Sequence, residues 1–450
     1  MMKKRSIRQI LAVASMLFGM FFGAGNLIFP ASMGQMAGRA VWLAGAGFLI
    51  TGVGLPLLGV AALGISRADG LLELSSRVGK GYGLFFTCLL YLTIGPFFAI
   101  PRCATVSYTV GIQQLLPGVD PRIALGLFSL VFFGLVLFFS LRRGELLTWI
   151  GKVLNPLFLC FLGVLVLRAL LVPLGAVSDA TPVGVYATDP FATGFLEGYN
   201  TMDALAGLAF GIIVVDAIRR LGVTEPGQIA ENTVEAGAFS AVLMGVIYLL
   251  VAVVGAQSRG IFEPAANGGE ALAQIARHCF GGLGLLILAA TVTVACLKTA
   301  VGLVTSCGET FVRMFPRGPG YRVWAVGFCV VSFTIANLGL NAILAWSTPV
   351  LMFLYPLAIV LILLTLFGGL YGNRSRVMAW TMGFTVPAAV LDFLYALPRG
   401  VREALPLEPL LKLRDWLPLA DKGFGWVLPA LVGFALGLIL AHLFPKPSNR

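Results

Sequence analysis

The chain has 450 residues, of which 58% are hydrophobic and only 11% are charged. Soluble domains carry about 25% charged residues, and the mean hydropathy here is +0.94. So little polar surface cannot coat a soluble globule, which excludes a soluble enzyme, a disordered protein and a coiled coil. Because no polar linker divides the sequence, we predict one polytopic membrane domain over residues 1–450.

Twelve apolar segments are long enough to cross a bilayer, which takes about 20 residues. The sequence lacks the alternation typical of a β-barrel, so we predict helices. These predicted spans are numbered 1 to 12 and cover residues 9–31, 40–64, 82–112, 123–141, 147–172, 190–217, 233–256, 280–312, 321–338, 342–367, 377–397 and 424–444.

The positions of Lys and Arg predict how these spans are oriented. With the N-terminus inside, most basic loop residues fall on the cytoplasmic side, and both termini are expected there. The net charge of +11 is therefore explained by topology rather than by nucleic-acid binding. The N-terminal MMKKRSIRQI resembles a secretory signal, but the apolar run continues to Pro30, so we expect an uncleaved first span.

The cysteines and histidines predict no metal or disulfide framework. Nearly all of the seven cysteines lie inside apolar runs, and none forms a CxxC pair, as expected of small core residues. Neither histidine has a second ligand at metal spacing. Two loops, 66–81 and 399–422, are amphipathic, and each is expected either on the membrane surface or as a solvated loop.

Two spans are interrupted by small and polar residues. Span 1 contains FGAGN at 22–26, and span 6 contains EGYNTMD at 197–203. A glycine lowers helix stability by about 1 kcal/mol relative to alanine. The two interruptions lie five spans apart. This spacing is typical of two five-helix repeats whose first helices are discontinuous and hold a binding site at mid-membrane.

A broken helix provides binding groups from its own backbone. The half-helix that begins near Gly23 offers N–H groups and a positive dipole end to a carboxylate. The half-helix that ends near Phe22 leaves carbonyls for a cation or an ammonium group. The alternative is a packing face, because Gly19 and Gly23 form a small-xxx-small pair. The matching interruption in span 6 favours a site.

Span 8 carries polar side chains inside an apolar run. Thr305 and Ser306 either bond their own i−4 carbonyls or provide two hard oxygen ligands to an alkali cation. Lys298 is predicted near mid-membrane, where the insertion free energy of a charged side chain is unfavourable by about 2.5–3.5 kcal/mol. Its charge therefore requires a partner.

Glu197 and Asp203 in span 6 are the nearest counter-charges to Lys298 by depth. Arg102 in span 3 competes for the same carboxylates. Two roles stay open for Lys298: a structural ion pair, or gating and coupling through loss of its proton, since a buried lysine can titrate near neutral pH.

Four long segments are distinctive in this sequence: LFGMFFGAGNLIFP, YLTIGPFFAIPRCATVSY, FLEGYNTMDALAGLAFGIIVVDAI and ACLKTAVGLVTSCGETF. Together they resemble the bacterial branched-chain amino acid:cation symporter family, and the resemblance covers essentially the whole chain. It implies an all-α membrane protein of 12 transmembrane helices with the LeuT-type fold, in which helices 1 and 6 are broken. The implied inverted repeats are 9–172 and 190–367, followed by two accessory helices in 377–444.

The resemblance also implies a function. It implies import of leucine, isoleucine and valine together with Na⁺, in the bacterial inner membrane, without enzymatic activity and without a cofactor beyond the co-transported ion. The alternative is coupling to H⁺, with the same or another neutral amino acid. An amino-acid-sensing membrane protein and an intramembrane enzyme fit less well, because the sequence has no HExxH, GxSxG or P-loop motif. Lipid is the only other partner implied; neither nucleic acid nor an obligate protein partner is expected.

The resemblance, together with the need for an apolar cup around a leucine side chain, gives a set of expected site residues. The sodium ligands implied by the resemblance are Gly19, Phe22, Gly302, Thr305 and Ser306. The expected substrate-binding residues are Gly23, Ala24, Gly25, Phe97, Phe98, Gly198 and Tyr199. Asn26 matches a residue that binds a second sodium ion in some members of the wider fold, but the sequence shows no convincing partner for it on span 7.

Overall fold

The structure is a computed structural model. It describes residues 13–15, 17–19, 21–23, 25–66, 68–115, 118–142, 159–160, 162–169, 171–220, 223 and 225–443. Within these ranges the chain is built from helices and connecting loops, without β-strands.

Span 1 is broken where the glycines predict it. Residues 17–19 and 21 are helical, Phe22 and Gly23 are not, and a second helix runs over Gly25–Ala37. This second helix extends beyond the predicted end at residue 31 and contains Pro30 in its interior. The predicted interruption of span 1 is confirmed.

Span 6 is broken at the matching position. One helix covers Pro190–Glu197, a turn of 3₁₀ helix covers Gly198–Thr201, and a second helix covers Asp203–Arg220. Between them Met202 takes a left-handed backbone conformation, with φ of 63°. Because this region is unfavourable for residues other than glycine, the surrounding packing has to hold the break open.

The other spans form helices with bounds close to those predicted. They are Val41–Leu49 and Leu55–Ser66 for span 2, Lys80–Leu92 and Ala99–Ser107 for span 3, Pro121–Leu141 for span 4, Pro226–Ser258 for span 7, Tyr321–Ala336 for span 9, Leu340–Leu366 for span 10, Ser375–Ala396 for span 11 and Val427–Leu443 for span 12. Short π-helical segments, Ile50–Gly54 and Thr93–Phe97, interrupt spans 2 and 3. Span 5 is described in part, and its residues 162–169 are helical.

Span 8 belongs to a longer helix than the sequence predicts. The helix Gly268–Met314 has 47 residues and bends sharply at Gly281, where φ is 63°. The bend separates the predicted span from a preceding helical segment over 268–280. Only glycine adopts this conformation readily, so Gly281 marks the true start of the span.

By length and composition, seven helices of the described chain could each cross a membrane. One of these stretches, Gly25–Ser66, contains both span 1 and span 2, and the helices of spans 9 and 12 are shorter. The protein is therefore an all-helical polytopic membrane protein. The exact division into repeats at 9–172 and 190–367 stays a prediction.

Close helix contacts hold the two broken spans in place. A side chain at Gly34 in span 1 would overlap the Ala252 carbonyl of span 7, and a side chain at Gly194 in span 6 would overlap the Ala44 carbonyl of span 2. Glycine at these positions lets the helix backbones touch. Span 1 is thus packed directly on span 7, and span 6 directly on span 2.

The loop between spans 11 and 12 packs onto the protein. It contains helices Arg399–Ala404 and Glu408–Asp415. The guanidinium of Arg414 is buried and pairs with Asp392 of span 11 at 2.9 Å. Lys422 pairs with Asp189, just before span 6, at 3.0 Å. The loop is thus tied to the ends of two spans.

Candidate functional site

Both breaks open onto one buried cavity between spans 1, 3, 6 and 8. Its volume is about 40 Å³, and its polar lining consists of Asn26, Arg102, Thr201, Asp203 and Thr299. Small-molecule pockets usually measure about 300–1,000 Å³. An amino acid can therefore occupy this position only when the surrounding helices move apart.

Three buried side chains join spans 1, 6 and 7 beside this cavity. The Oδ2 atom of Asp203 accepts hydrogen bonds from the Asn26 amide at 2.7 Å and from the Tyr248 hydroxyl at 2.9 Å. The Asn26 amide also donates to the Tyr248 hydroxyl. Each of the three residues is at most 3% exposed. Because a buried carboxylate without donors is very unfavourable, this network is what allows Asp203 to lie at the break.

Tyr248 is a functional candidate that the sequence reasoning missed. Asn26 was expected to have no convincing partner on span 7, and the structure places Tyr248 of that span against it. The sequence signal that could have indicated this residue is that Tyr248 is the single tyrosine of span 7, since a buried tyrosine hydroxyl usually has a hydrogen-bond partner.

Arg102 reaches the cavity from span 3 and is 4% exposed. Its Nη1 atom donates to the Asn200 carbonyl at 2.6 Å, and its Nη2 atom donates to the Thr201 carbonyl at 3.4 Å. These carbonyls lie at the end of the first half of span 6, where a helix leaves acceptors unpaired. Arg102 was expected to compete for carboxylates; its direct hydrogen bonds go to backbone carbonyls, while Asp203 is near enough to attract it electrostatically.

The glycines of span 1 lie at the cavity, but their surroundings differ. The Gly23 amide donates to the Asn26 side-chain oxygen at 3.1 Å. A Cβ atom at Gly25 would lie 2.9 Å from Nη2 of Arg102 and 3.2 Å from the Phe29 ring. Gly25 therefore makes room for the guanidinium. Ala24, expected in the same cradle, is outside the described residues.

The expected cation ligands of span 8 face different neighbours. The Thr305 hydroxyl donates to the Val301 carbonyl at 2.8 Å and accepts from Tyr321 of span 9 at 3.4 Å. Ser306 lies within interaction range of the Tyr91 hydroxyl of span 3. Gly302 is exposed.

On span 1, the expected ligands Gly19 and Phe22 are buried, and Phe22 stacks on Phe18 with ring centroids 4.8 Å apart. The span 8 hydroxyl beside the span 1 break is instead Thr299, whose side chain lies 3.4 Å from the Cβ position of Gly23. Thr299 belongs to the same LKTAVGLVTS segment, but the sequence does not show which neighbouring helix its side chain faces. That depends on how span 8 packs against the other helices.

The expected walls of the substrate cup lie elsewhere than on this cavity. Phe97 is 37% exposed, and its ring lies 6.4 Å from that of Phe98. Gly198 packs tightly against Thr51 of span 2. Tyr199 stacks on Tyr355 of span 10 with ring centroids 3.9 Å apart. None of the four expected residues is among the described residues that line the cavity.

The remaining charged candidates lie close to the break but off the cavity lining. Glu197 accepts a hydrogen bond from the Asn200 amide at 3.2 Å. Lys298 is half-buried and directly precedes Thr299. Asp203, one of its two expected counter-charges, has its Oδ2 atom bonded to Asn26 and Tyr248.

The profile of one protein family, described as "Branched-chain amino acid transport protein", matches residues 6–444. The chain belongs to this family. It is 52% identical over 438 residues to a branched-chain amino acid permease BrnQ of Lactobacillus delbrueckii subsp. lactis, covering 97% of each chain. It is 40% identical over 446 residues to a branched-chain amino acid permease BraB of Bacillus subtilis (strain 168), covering 99% of this chain and 98% of that one.

Solved structures support the fold of this family member. Mhp1 in an inward-facing conformation superimposes with a TM-score of 0.62 at 15% identity, covering 98% of this chain and 92% of that chain. MhsT in complex with L-phenylalanine superimposes with a TM-score of 0.56 at 16% identity, covering 97% and 98%. At such low identity the likeness concerns the fold alone, and it confirms the expected LeuT-type architecture.

Proposed function

We propose that this protein is a secondary active symporter that imports leucine, isoleucine and valine. The family assignment and the permease names of its relatives support the substrate class. The structural observation that carries the proposal is the buried cavity between two broken helices, with Arg102 and Asp203 on its lining. A cavity with both charges suits a zwitterion, whereas an intramembrane enzyme needs a nucleophile and a base or a metal.

The substrate binds where the two breaks meet, at mid-membrane. The start of the helix Gly25–Ala37 directs unpaired N–H groups and a positive dipole end toward the cavity. Spans 1, 3, 6 and 8 rock apart to admit the amino acid and then close behind it. The small volume of the cavity is consistent with such an opening motion.

Sodium is the proposed driving ion. Its ligands are the carbonyls of Gly19, Phe22 and Gly302 with the hydroxyls of Thr305 and Ser306, as the family resemblance implies. The Thr305 hydroxyl bonds the i−4 carbonyl of Val301 and accepts from Tyr321 at 3.4 Å, so the sodium assignment rests on the family resemblance and not on these contacts. Phe97, Phe98, Gly198 and Tyr199 reach the substrate only if the opening motion exposes them.

Proton coupling is the second candidate. It is favoured by the ionisable groups near the break, Glu197, Asp203 and Lys298, because such residues inside a membrane domain often form proton relays. Lys298 then either holds the break as part of an ion pair or releases its proton during the cycle. The protein acts in the bacterial inner membrane with both termini in the cytoplasm.

Uptake of radiolabelled leucine into proteoliposomes tests these proposals, with sodium and proton gradients imposed separately. We expect concentrative uptake that requires the inward sodium gradient and is inhibited by isoleucine and valine. Uptake driven by the proton gradient alone would assign the coupling to H⁺. Leucine binding without concentrative uptake under either gradient would contradict a transporter and favour a sensor.

A further inference from the structure

We infer that Arg102 binds the carboxylate of the transported amino acid and so selects substrates that carry this group. The inference rests on the proposed function and deepens it, since backbone N–H groups at the start of a half-helix are otherwise the only carboxylate ligands implied. The guanidinium of Arg102 lines the cavity and is buried beside Gly25.

The described hydrogen bonds of Arg102 go to neutral groups, and its Cζ atom lies over the Phe29 ring at 5.0 Å from the centroid. A guanidinium stays protonated in proteins and offers five N–H donors. The two hydrogen bonds described above go to the neutral carbonyls of Asn200 and Thr201. Asp203 attracts the guanidinium, but its Oδ2 atom accepts from Asn26 and Tyr248 instead. A bound carboxylate would complete the coordination of a costly buried charge.

Capping the broken span alone does not account for an arginine at this position. Two carbonyls need only two neutral donors, which a glutamine side chain supplies without placing a charge inside the membrane domain. The planar guanidinium matches a carboxylate, to which it can donate two parallel hydrogen bonds. The residue type therefore indicates an anionic ligand in addition to the carbonyls.

Gly25 brings the arginine and the helix start to the same point. A Cβ atom at Gly25 would lie 2.9 Å from Nη2 of Arg102, so any larger residue pushes the guanidinium away. The first turn of the helix Gly25–Ala37 has unpaired N–H groups and a positive dipole end. Asp203 lines the same cavity, but its Oδ2 atom is bonded to Asn26 and Tyr248, and two positive features that face each other favour a further anion between them. The α-carboxylate of an amino acid has the charge and the shape for that place.

The test compares leucine with leucinamide, in which the carboxylate is replaced by an amide. Affinities of both ligands are measured on purified full-length wild-type protein and on the Arg102→Gln variant, by competition against radiolabelled leucine. We expect the ratio of the affinities for leucine and leucinamide to fall at least about tenfold in the variant, as for a lost hydrogen bond between charged groups. Arg102→Lys, which keeps the charge, is expected to keep part of the preference.

An equal loss of affinity for both ligands would overturn the inference, because it would show that Arg102 only holds the break of span 6. An unchanged preference would overturn it as well. If Arg102→Gln is not obtained as a folded protein, Gly25→Ala provides the second test, since its Cβ atom displaces the guanidinium and is expected to lower the same preference. Gly383→Ala is the matched control, because its Cβ atom meets nothing within 4 Å. If the wild-type protein itself binds neither leucine, isoleucine nor valine, the proposed function fails first, and the role of Arg102 fails with it.

Discussion

Replacing Tyr248 with phenylalanine tests whether the network of Asn26, Asp203 and Tyr248 holds the two breaks together. The change removes only a hydroxyl, which donates to Asp203 at 2.9 Å and also accepts from Asn26. The ring keeps its edge-to-face contact with Phe48, with centroids 5.5 Å apart. Any effect therefore reports on the hydrogen bonds and not on packing.

The expected loss of stability is about 1–2 kcal/mol. Hydrogen bonds between membrane helices average about 0.6 kcal/mol and reach about 1.7 kcal/mol, whereas hydrogen bonds to charged groups contribute about 1.5–3 kcal/mol. A carboxylate acceptor places Tyr248 at the upper end of the membrane values. Because 1 kcal/mol lowers the melting temperature by about 2–4 °C in a domain of 150–250 residues, and by less in a longer chain, we expect a decrease of a few degrees.

Tyr199→Phe is the matched control for this measurement. Tyr199 is as deeply buried as Tyr248, but its hydroxyl has no hydrogen-bond partner among the described residues. Its removal is expected to leave the melting temperature unchanged or to raise it slightly, because a buried unsatisfied group is lost. Thermal unfolding of the purified proteins in one detergent measures both changes. Equal shifts for the two variants would refute the reasoning from the network.

Three further predictions follow from the sites described above. Thr305→Ala removes a hard oxygen ligand, so we expect a lower apparent affinity for sodium in leucine uptake at normal protein levels; an unchanged sodium dependence would exclude Thr305 as a ligand. Lys298→Met is expected to flatten the pH profile of uptake if Lys298 releases its proton during transport, whereas a folded variant with an unaltered profile assigns it a structural role. Arg414→Gln leaves Asp392 buried without its partner, and breaking such pairs costs about 3–5 kcal/mol, so we expect a much lower melting temperature. Lys422→Gln breaks an exposed pair and serves as the control, with little change expected; comparable melting temperatures would contradict this contrast.

The sequence by itself determined the class of the protein, the order of its described helices and the positions of both helix breaks. These follow from local properties of the chain. Apolar runs of about 20 residues are stable in a bilayer only as helices, and clustered glycines and polar residues such as 22–26 and 197–203 are unfavourable inside such a helix. The residues of each break are adjacent in the chain, so their effect can be recognised without knowing what packs against them.

Only the tertiary structure decided which side chains meet at the breaks. Tyr248, 222 residues from Asn26, shares its hydrogen bonds, and no local pattern links the two positions. On span 8, Thr299 faces the break of span 1, while Thr305 faces span 9. Successive helix residues point about 100° apart, so the choice among neighbouring hydroxyls depends on how the helix is rotated. That rotation is set by the close packing of many neighbours at once, which a single sequence does not specify.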